Sequence, residues 1–257
     1  MAEAIFTGVG VALVTLFQSD GTLDAPATAE HAARLVELGV RAVVVAGSTG
    51  EPAALDLPER DELLSAVRRA VPSGSGVAVL AGTGAPSARQ AAALTCAARD
   101  GGADAALVLS PPGSADVRPY YDAVSAAADG LPLLAYHFPA MAPPGIPVGT
   151  LGSLPVAGCK DSSGDPDRLL ETLDVWDRPL YVGSSALLAL AGPLGCAGAI
   201  LALANAEPER CAAAFAGDAR AQRELASPHR RSLARFPAGI KDLTAERFGT
   251  SATVRLG

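Results

Sequence analysis

The sequence predicts an α/β protein of the (β/α)8, or TIM, barrel class. Eight short apolar segments alternate with longer, alanine-rich segments along the 257 residues. Strands that alternate with helices form parallel sheets, and a count of eight favours closure into a barrel. No linker, repeat or low-complexity segment divides the chain. We therefore predict one domain over 1–257, with the barrel over 1–216 and a shortened C-terminal helical extension over 217–257.

The predicted strands are short runs rich in β-branched and other apolar residues. They cover 9–16, 40–46, 77–81, 105–109, 131–136, 156–160, 180–183 and 197–201. The run 40–46 is almost continuously apolar, which is typical of a strand buried on both faces. Helices are predicted over 25–38, 58–70, 87–99, 119–128, 148–154, 186–194, 208–216, 219–235 and 239–248.

Composition and charge exclude several classes of function. A hydrophobic share of 49% and a charged share of 18% indicate a large core. The net charge of −7 and the lack of a basic run argue against nucleic acid and anionic membranes as partners. The first residues lack a signal-peptide pattern, and no apolar run reaches the ~18 residues of a membrane span. We therefore expect a cytoplasmic protein.

The four cysteines lie far apart and form no CxxC pair. This spacing indicates neither a zinc ribbon nor a disulfide framework, and no other ligand cluster supports a metal site.

A lysine ends the sixth predicted strand. Lys160 follows the apolar run 156–159 and precedes the polar segment 161–165, DSSGD. A lysine is rarely buried without a partner or a task. Burial disfavours the charged form, and a neutral amine can attack a ketone to form a Schiff base. The alternative is a strand-end lysine that extends to solvent.

The second predicted strand is followed by the segment 47–51, GSTGE. The glycines, Gly47 included, let backbone N–H groups approach a carboxylate or phosphate closely, and the hydroxyls of Ser48 and Thr49 can donate to an oxyanion. The alternative is a tight turn whose hydroxyls satisfy only the backbone. In a barrel this segment would share one face with Lys160, since all strands end there.

The fifth predicted strand ends at Tyr136. A phenol near a cation can act as acid and base, although a core aromatic is the alternative. Because side chains alternate along a strand, His137 and Cys159 should point away from the side of Tyr136 and Lys160. We expect both to be structural.

Three motifs resemble the signatures of the dihydrodipicolinate synthase / N-acetylneuraminate lyase family. The segment GSTGE at 47–51 resembles GTTGE, YHFP at 136–139 resembles YNxP, and GCKDSSGD at 158–165 resembles GxKDSSGD. Segments 12–17, 81–85, 195–205 and 239–249 also resemble family sequences. The resemblance runs in order through nearly the whole chain.

The resemblance implies a (β/α)8 barrel that acts on pyruvate or another 2-oxo acid through a Schiff base. Lys160 would form the imine, and Tyr136 would carry protons to and from the reacting centre. Ser48 and Thr49 would bind the carboxylate of the oxo acid, and Thr49 would connect Tyr136 to a proton relay. Gly183 and Ile200 would contribute backbone to the pocket wall. No metal or organic cofactor is implied, and the family is usually tetrameric, so we expect a homo-oligomer, either dimer or tetramer.

The chain departs from the family pattern in three places. The segment 110–116, SPPGSAD, replaces the one that supplies a second relay tyrosine, and Tyr120 and Tyr121 follow on a predicted helix. The segment 140–145, AMAPPG, lacks the arginine that grips the carboxylate of aspartate semialdehyde, a contact worth ~1.5–3 kcal/mol. The sequence ends soon after Phe248 without the family's last helix, which puts the tetramer in question.

The sequence therefore predicts an imine-forming (class I) lyase or aldolase. Candidate reactions are cleavage of a 2-keto-3-deoxy sugar acid or of 4-hydroxy-2-oxoglutarate, or a related dehydration. The first alternative is dihydrodipicolinate synthase, which condenses pyruvate with aspartate semialdehyde. The second is a non-catalytic paralogue that binds 2-oxo acids. The sequence leaves the second substrate open.

Overall fold

Residues 3–256 are described by a computed structural model, and they contain a closed barrel of eight parallel strands. The strands are β1 (Gly8–Ala12), β2 (Ala42–Val45), β3 (Ala78–Gly82), β4 (Ala105–Leu109), β5 (Leu133–His137), β6 (Gly158–Asp161), β7 (Leu180–Val182) and β8 (Gly198–Leu201). Each strand pairs in parallel with the next, and β8 pairs with β1. The predicted barrel is confirmed.

Helices follow the strands and cover the outside of the barrel. They are α1 (Ala25–Glu37), α2 (Leu57–Ala70), α3 (Ala88–Asp100), α4 (Arg118–Ala128), α5 (Val148–Leu151), α6 (Pro166–Val175), α7 (Leu188–Ala191), α8 (Pro208–Phe215), α9 (Ala219–Glu224), α10 (Ala226–Ala234) and α11 (Ala238–Phe248). Among residues 3–256, no helix is both long enough and apolar enough to cross a membrane.

Alternation along the strands divides the core into two parts. Leu134 and Tyr136 of β5 belong to the cluster inside the barrel, together with residues such as Leu80 and Ile200. Leu133 and Ala135 of the same strand belong to the larger cluster between barrel and helices. Because successive side chains point to opposite faces, this division places Tyr136 on the inner side.

The first strand is shorter than the predicted 9–16 and ends at Ala12. Beyond Ala12, side-chain oxygens accept hydrogen bonds from backbone N–H groups. Val14 N–H donates to Asn205 Oδ1 at 3.0 Å, and Leu16 N–H donates to Thr28 Oγ1 at 2.9 Å. The N–H groups of Val14 and Leu16 are therefore buried and satisfied without a strand ladder.

The predicted helix 219–235 is divided into α9 and α10. Pro228 lies in the first turn of α10 and has no N–H to donate to Glu224, so the hydrogen-bond ladder is interrupted there. The predicted helix 186–194 contracts to α7, and Pro193 follows it.

Helix α6 was not among the predicted helices. Its N-terminal signal is nevertheless present, because the Asp165 carboxylate accepts hydrogen bonds from the N–H groups of Asp167 and Arg168, and Pro166 occupies the first turn.

Acid should destabilise the protein partly through His31, a residue of α1 that is 1% exposed. Neither ring nitrogen has a hydrogen-bond partner among the described residues. Burial, followed by the charge of Arg34, lowers the pKa of His31 from 6.5 to about 4. Folding therefore favours the neutral ring. The part of the protein's stability that depends on a neutral His31 is complete above pH 6.5 and is lost as the pH falls toward 4. The loss is about 3 kcal/mol.

We expect the His31→Phe variant to lose less stability than wild type between pH 6.5 and 4, measured by urea unfolding. His137, whose pKa is also lowered to about 4 mainly by burial, should leave a residual slope in the variant. Equal slopes in both proteins would contradict the assignment.

Candidate functional site

A cavity of about 470 Å³ opens at the C-terminal ends of the strands. Its wall is built from the loops after β2, β5, β6, β7 and β8 and from one face of α10. Of the residues singled out from the sequence, the wall contains Ser48, Thr49, Tyr136, Lys160 and Gly183. Gly47 and Ile200 are not part of this wall, and Ile200 lies deeper in the inner core.

Lys160 and Tyr136 are direct neighbours because the register of β5 and β6 pairs them. The Lys160 Nζ atom lies 4.3 Å from the centre of the Tyr136 ring, and both residues are 4% exposed. Within residues 3–256 the structure gives Lys160 Nζ no hydrogen bond and no ion pair. A buried amine without a fixed partner is free to react with a ligand in the cavity.

Gly183 provides the space that this lysine occupies. A Cβ atom at position 183 would lie 1.8 Å from Ser162 Oγ and 3.0 Å from Lys160 Cε. Any larger residue would therefore displace the Ser162 side chain and press on the lysine stem. This observation explains why a glycine follows the seventh strand beside Lys160.

The loop after β2 presents Ser48 and Thr49 to the cavity. Residues Ser48–Gly50 form a 3₁₀ turn. The Thr15 hydroxyl donates to Gly50 O at 2.8 Å, which ties the turn to the segment after β1. No hydrogen bond joins the Thr49 hydroxyl to the Tyr136 phenol in the described residues, so the implied connection between them is not made in this structure.

Glu51 anchors this loop to the C-terminal segment. Its carboxylate is fully buried, with Oε1 2.5 Å from Lys241 Nζ. Oε2 accepts hydrogen bonds from the N–H groups of Arg255 at 2.8 Å and Leu256 at 2.7 Å. Lys241 Nζ also donates to Thr253 O at 2.7 Å. We call this set of contacts the Glu51–Lys241 clamp.

The Arg255 side chain reinforces the clamp. Its guanidinium binds both carboxylate oxygens of Glu59, at 2.6 and 2.8 Å, and donates to Gly21 O at 2.7 Å. Arg255 and Lys241 each place their charged group 4.3 Å from the centre of the Phe17 ring. The C-terminal segment is thus fixed beside the loop that carries Ser48 and Thr49.

Three of the four tyrosines are committed to structural hydrogen bonds. The hydroxyl of Tyr120 donates to Ala85 O at 3.0 Å, that of Tyr121 to Val108 O at 2.8 Å, and that of Tyr181 to Phe6 O at 3.0 Å. Burial raises the pKa of all three phenols. Tyr136 is therefore the tyrosine available for proton transfer in the cavity.

His137 and Cys159 lie on the outer side of their strands, as alternation predicts. The Ile146 N–H donates to His137 Nδ1 at 2.8 Å, and burial lowers the pKa of this imidazole to about 4. Burial raises the pKa of the Cys159 thiol. Both residues are held in structural surroundings.

The motif residue Asp161 organises the loop after β6. It pairs with Arg168 at 2.6 Å and accepts a hydrogen bond from the Ser163 hydroxyl at 2.6 Å. Arg168 also donates to Ile146 O at 2.7 Å. The guanidinium is thus used in holding the loop together.

Sequence reasoning did not single out several polar residues of the wall, namely Ser162, Ser163, Ser184, Ser185, His229 and Ser232. Four of them follow β6 or β7, so the rule that sites form at the C-terminal ends of strands could have found them. His229 and Ser232 lie on α10, which reaches the cavity only through tertiary packing. Nothing local in the sequence indicates that.

Fold and cavity together define a class of protein: a (β/α)8 barrel enzyme with a buried lysine and a tyrosine side by side at its C-terminal face. The chain belongs to the dihydrodipicolinate synthetase family, whose model matches residues 5–247. Members of this family are lyases and aldolases, and this chain is one of them.

Relatives and solved structures agree with this assignment. An uncharacterised DapA-like lyase of Halobacterium salinarum is 36% identical over 244 residues, covering 91% of this chain and 79% of the relative. A 4-hydroxy-tetrahydrodipicolinate synthase of Pseudomonas aeruginosa is 34% identical over 238 residues, covering 86% and 80%.

Among solved structures, the chloride-inhibited dihydrodipicolinate synthase of Acinetobacter baumannii in complex with pyruvate superposes with a TM-score of 0.89 at 28% identity, covering 98% of this chain and 92% of that one. A prophage protein of the same family from Escherichia coli K12, also in complex with pyruvate, gives 0.88 at 26% identity, with the same coverage.

Proposed function

We propose that this protein is an imine-forming lyase or aldolase that acts on pyruvate or a longer 2-oxo acid through Lys160. The observation that carries the proposal is the buried Lys160 amine, which has no fixed partner and lies 4.3 Å from the Tyr136 ring at the base of an open cavity. Two relatives in fold were solved with pyruvate bound, which supports a 2-oxo acid as the ligand.

The chemistry proceeds by ordinary steps of covalent catalysis. The neutral Lys160 amine attacks the C2 carbonyl, and loss of water leaves a protonated imine. In cleavage, the bond between C3 and C4 breaks, its electron pair forms the C2–C3 enamine, and the proton of the C4 hydroxyl passes to a base. The products are an aldehyde and an enamine, which is protonated at C3 and hydrolysed to pyruvate.

The other residues of the cavity have separate tasks in this scheme. Tyr136 transfers the protons in this scheme, because its ring lies 4.3 Å from the amine and the residue lines the same cavity. Ser48 and Thr49 bind the oxo-acid carboxylate with their hydroxyls and with the backbone of the loop that begins at Gly47. The imine itself supplies the electron sink, so the proposed mechanism uses no metal or organic cofactor.

We also propose a homo-oligomer, dimer or tetramer, which light scattering would test.

Borohydride reduction in the presence of pyruvate tests the proposal. The sequence contains two lysines, Lys160 and Lys241, and Lys241 is fully buried in the clamp. Intact mass and peptide mapping should therefore find one adduct, on Lys160. A folded sample that gives no adduct with pyruvate or longer 2-oxo acids would refute the imine mechanism.

Dihydrodipicolinate synthase activity is the second candidate, because relatives of that name are 34% identical. Against it, the cavity wall of the described residues contains no arginine to bind the carboxylate of aspartate semialdehyde. A coupled assay with pyruvate and aspartate semialdehyde decides between the two. An adduct on Lys160 without turnover of any substrate would instead favour the non-catalytic paralogue.

Replacement of Tyr136 by Phe should lower kcat by ~10²–10⁴-fold, since a positioned acid/base contributes that much to a proton transfer. The amine of Lys160 remains, so pyruvate should still be trapped by borohydride. Stopped-flow trapping and steady-state kinetics on the same variant separate these two effects. A variant with wild-type kcat would remove Tyr136 from the mechanism.

A further inference from the structure

The α10 side of the cavity has no task in the reaction at Lys160. It is formed by His229, Ser232, Leu233 and, just beyond the helix, Phe236. We infer that His229, held by Ser185, binds hydroxyl groups of the substrate beyond the bond that breaks. The enzyme would then accept 2-oxo acids with a neutral, hydroxylated chain in preference to those with a second carboxylate. This inference rests on the proposed imine chemistry.

His229 is held in a defined orientation. Its Nδ1 atom lies 2.8 Å from Ser185 Oγ, and no partner of Nε2 is recorded among residues 3–256. The loop that carries Ser185 is itself fixed by Gln222 of α9, whose Nε2 donates to Ser185 O at 2.9 Å and whose Oε1 accepts from the Ala189 N–H at 2.9 Å. One ring nitrogen is thus anchored and the other is left for a ligand.

The charge of the cavity wall argues for a neutral chain. In the described residues, Lys160 is the wall's single lysine or arginine, and the wall contains no aspartate or glutamate. Imine formation engages Lys160 with the oxo group, and Arg168 nearby is already bound to Asp161 and Ile146 O. A second carboxylate would therefore be desolvated without a cation to compensate it.

The hydrogen-bonding chemistry of the wall matches hydroxyl groups. Burial lowers the pKa of His229, which favours the neutral ring with one donor and one acceptor. The serines at 162 and 184 add hydroxyls that can both donate and accept, whereas the Ser232 hydroxyl, which donates to His229 O at 2.8 Å, can accept. A sugar-acid chain presents the same dual groups, whereas a carboxylate can only accept.

Two substrates with the same reacting atoms test this inference. Both 2-keto-3-deoxygluconate and 4-hydroxy-2-oxoglutarate carry the C2 oxo group and the C4 hydroxyl, but the first continues as a neutral hydroxylated chain and the second ends in a carboxylate. We expect wild-type kcat/KM to favour the first by at least about 10-fold, the loss expected for an uncompensated charged group. A preference for 4-hydroxy-2-oxoglutarate would overturn the inference.

Variants of His229 test whether this residue causes the preference for a neutral hydroxylated chain. The His229→Leu variant should lower kcat/KM for 2-keto-3-deoxygluconate by about 3- to 15-fold relative to its own rate of pyruvate trapping, because pyruvate has no carbons beyond C3. The His229→Gln variant, which keeps a donor and an acceptor, should recover part of the loss. Ser185→Ala, a smaller change, should move the same ratio in the same direction.

The outcomes distinguish failure of the proposed imine chemistry from failure of the role inferred for His229. No pyruvate adduct on the wild-type protein would refute the proposed function itself. An adduct on Lys160 together with an unchanged ratio in His229→Leu and Ser185→Ala would refute the hydroxyl-binding role alone. Thermal unfolding of each variant shows whether the comparison is made on folded protein.

Discussion

A Lys160→Met variant is expected to form no borohydride-stable adduct with pyruvate and to lose about 10⁴-fold or more in kcat/KM, because an enzyme deprived of its covalent nucleophile keeps only binding and electrostatic contributions. The amine that would attack the oxo group is the one that the register of β5 and β6 places 4.3 Å from the Tyr136 ring. Mass spectrometry and steady-state kinetics measure the two losses.

Lys160→Arg is the matched control for this experiment. Arginine keeps a positive charge in the cavity but does not form the imine, so it should be as inactive as Lys160→Met. If the arginine variant retained most of the activity, charge rather than covalent chemistry would explain the role of position 160. An adduct on Lys241 in either variant would equally contradict the assignment.

Breaking the Glu51–Lys241 clamp should produce the largest change in stability. In the Glu51→Gln variant the Lys241 ammonium, which is fully buried, loses its counter-ion. Removing one partner of a buried ion pair typically costs about 3–5 kcal/mol, because the other charge stays buried and uncompensated. We expect a loss of this size in the free energy of unfolding, measured in urea at pH 7.

A double variant tests whether the pair itself causes the loss. Lys241→Met in the Glu51→Gln background removes the unpaired ammonium and keeps a similar volume, so part of the stability should return. Simple addition of the two single effects would show that the two side chains are not coupled. Loosening of the loop should also weaken the binding of the oxo acid that we propose for Ser48 and Thr49.

The sequence predicted the barrel and the common placement of Lys160 and Tyr136 because both depend on local patterns. Eight apolar runs fixed the number of strands, and the positions of Lys160 and Tyr136 at strand ends fixed their side of the barrel. Boundaries were less predictable, since β1 ends where side chains such as Asn205 replace the strand ladder. Helix α10 was predicted as a helix, but its contribution to the cavity depends on how the last helices pack.

Glu51 belongs to a recognised motif, but its contacts also depend on tertiary packing and could not be predicted from the sequence. Its place in the segment GSTGE was evident from the sequence, yet its partners lie about 190–205 residues away and are found only in the folded chain. The same is true of His229 and Ser185, which are 44 residues apart. Contacts of this kind carry no periodicity or spacing that a reader of one sequence could detect.

The placement of the two lysines also affects how the protein responds to chemical modification. Lys160 is 4% exposed and Lys241 is fully buried, and these two are the lysines of the sequence. Reagents that acylate lysine ε-amines, and enzymes that attach groups to them, find no such amine on the folded surface. A small acylating compound would reach an ε-amine only by entering the cavity. In this molecule, lysine acylation and loss of activity should therefore occur together.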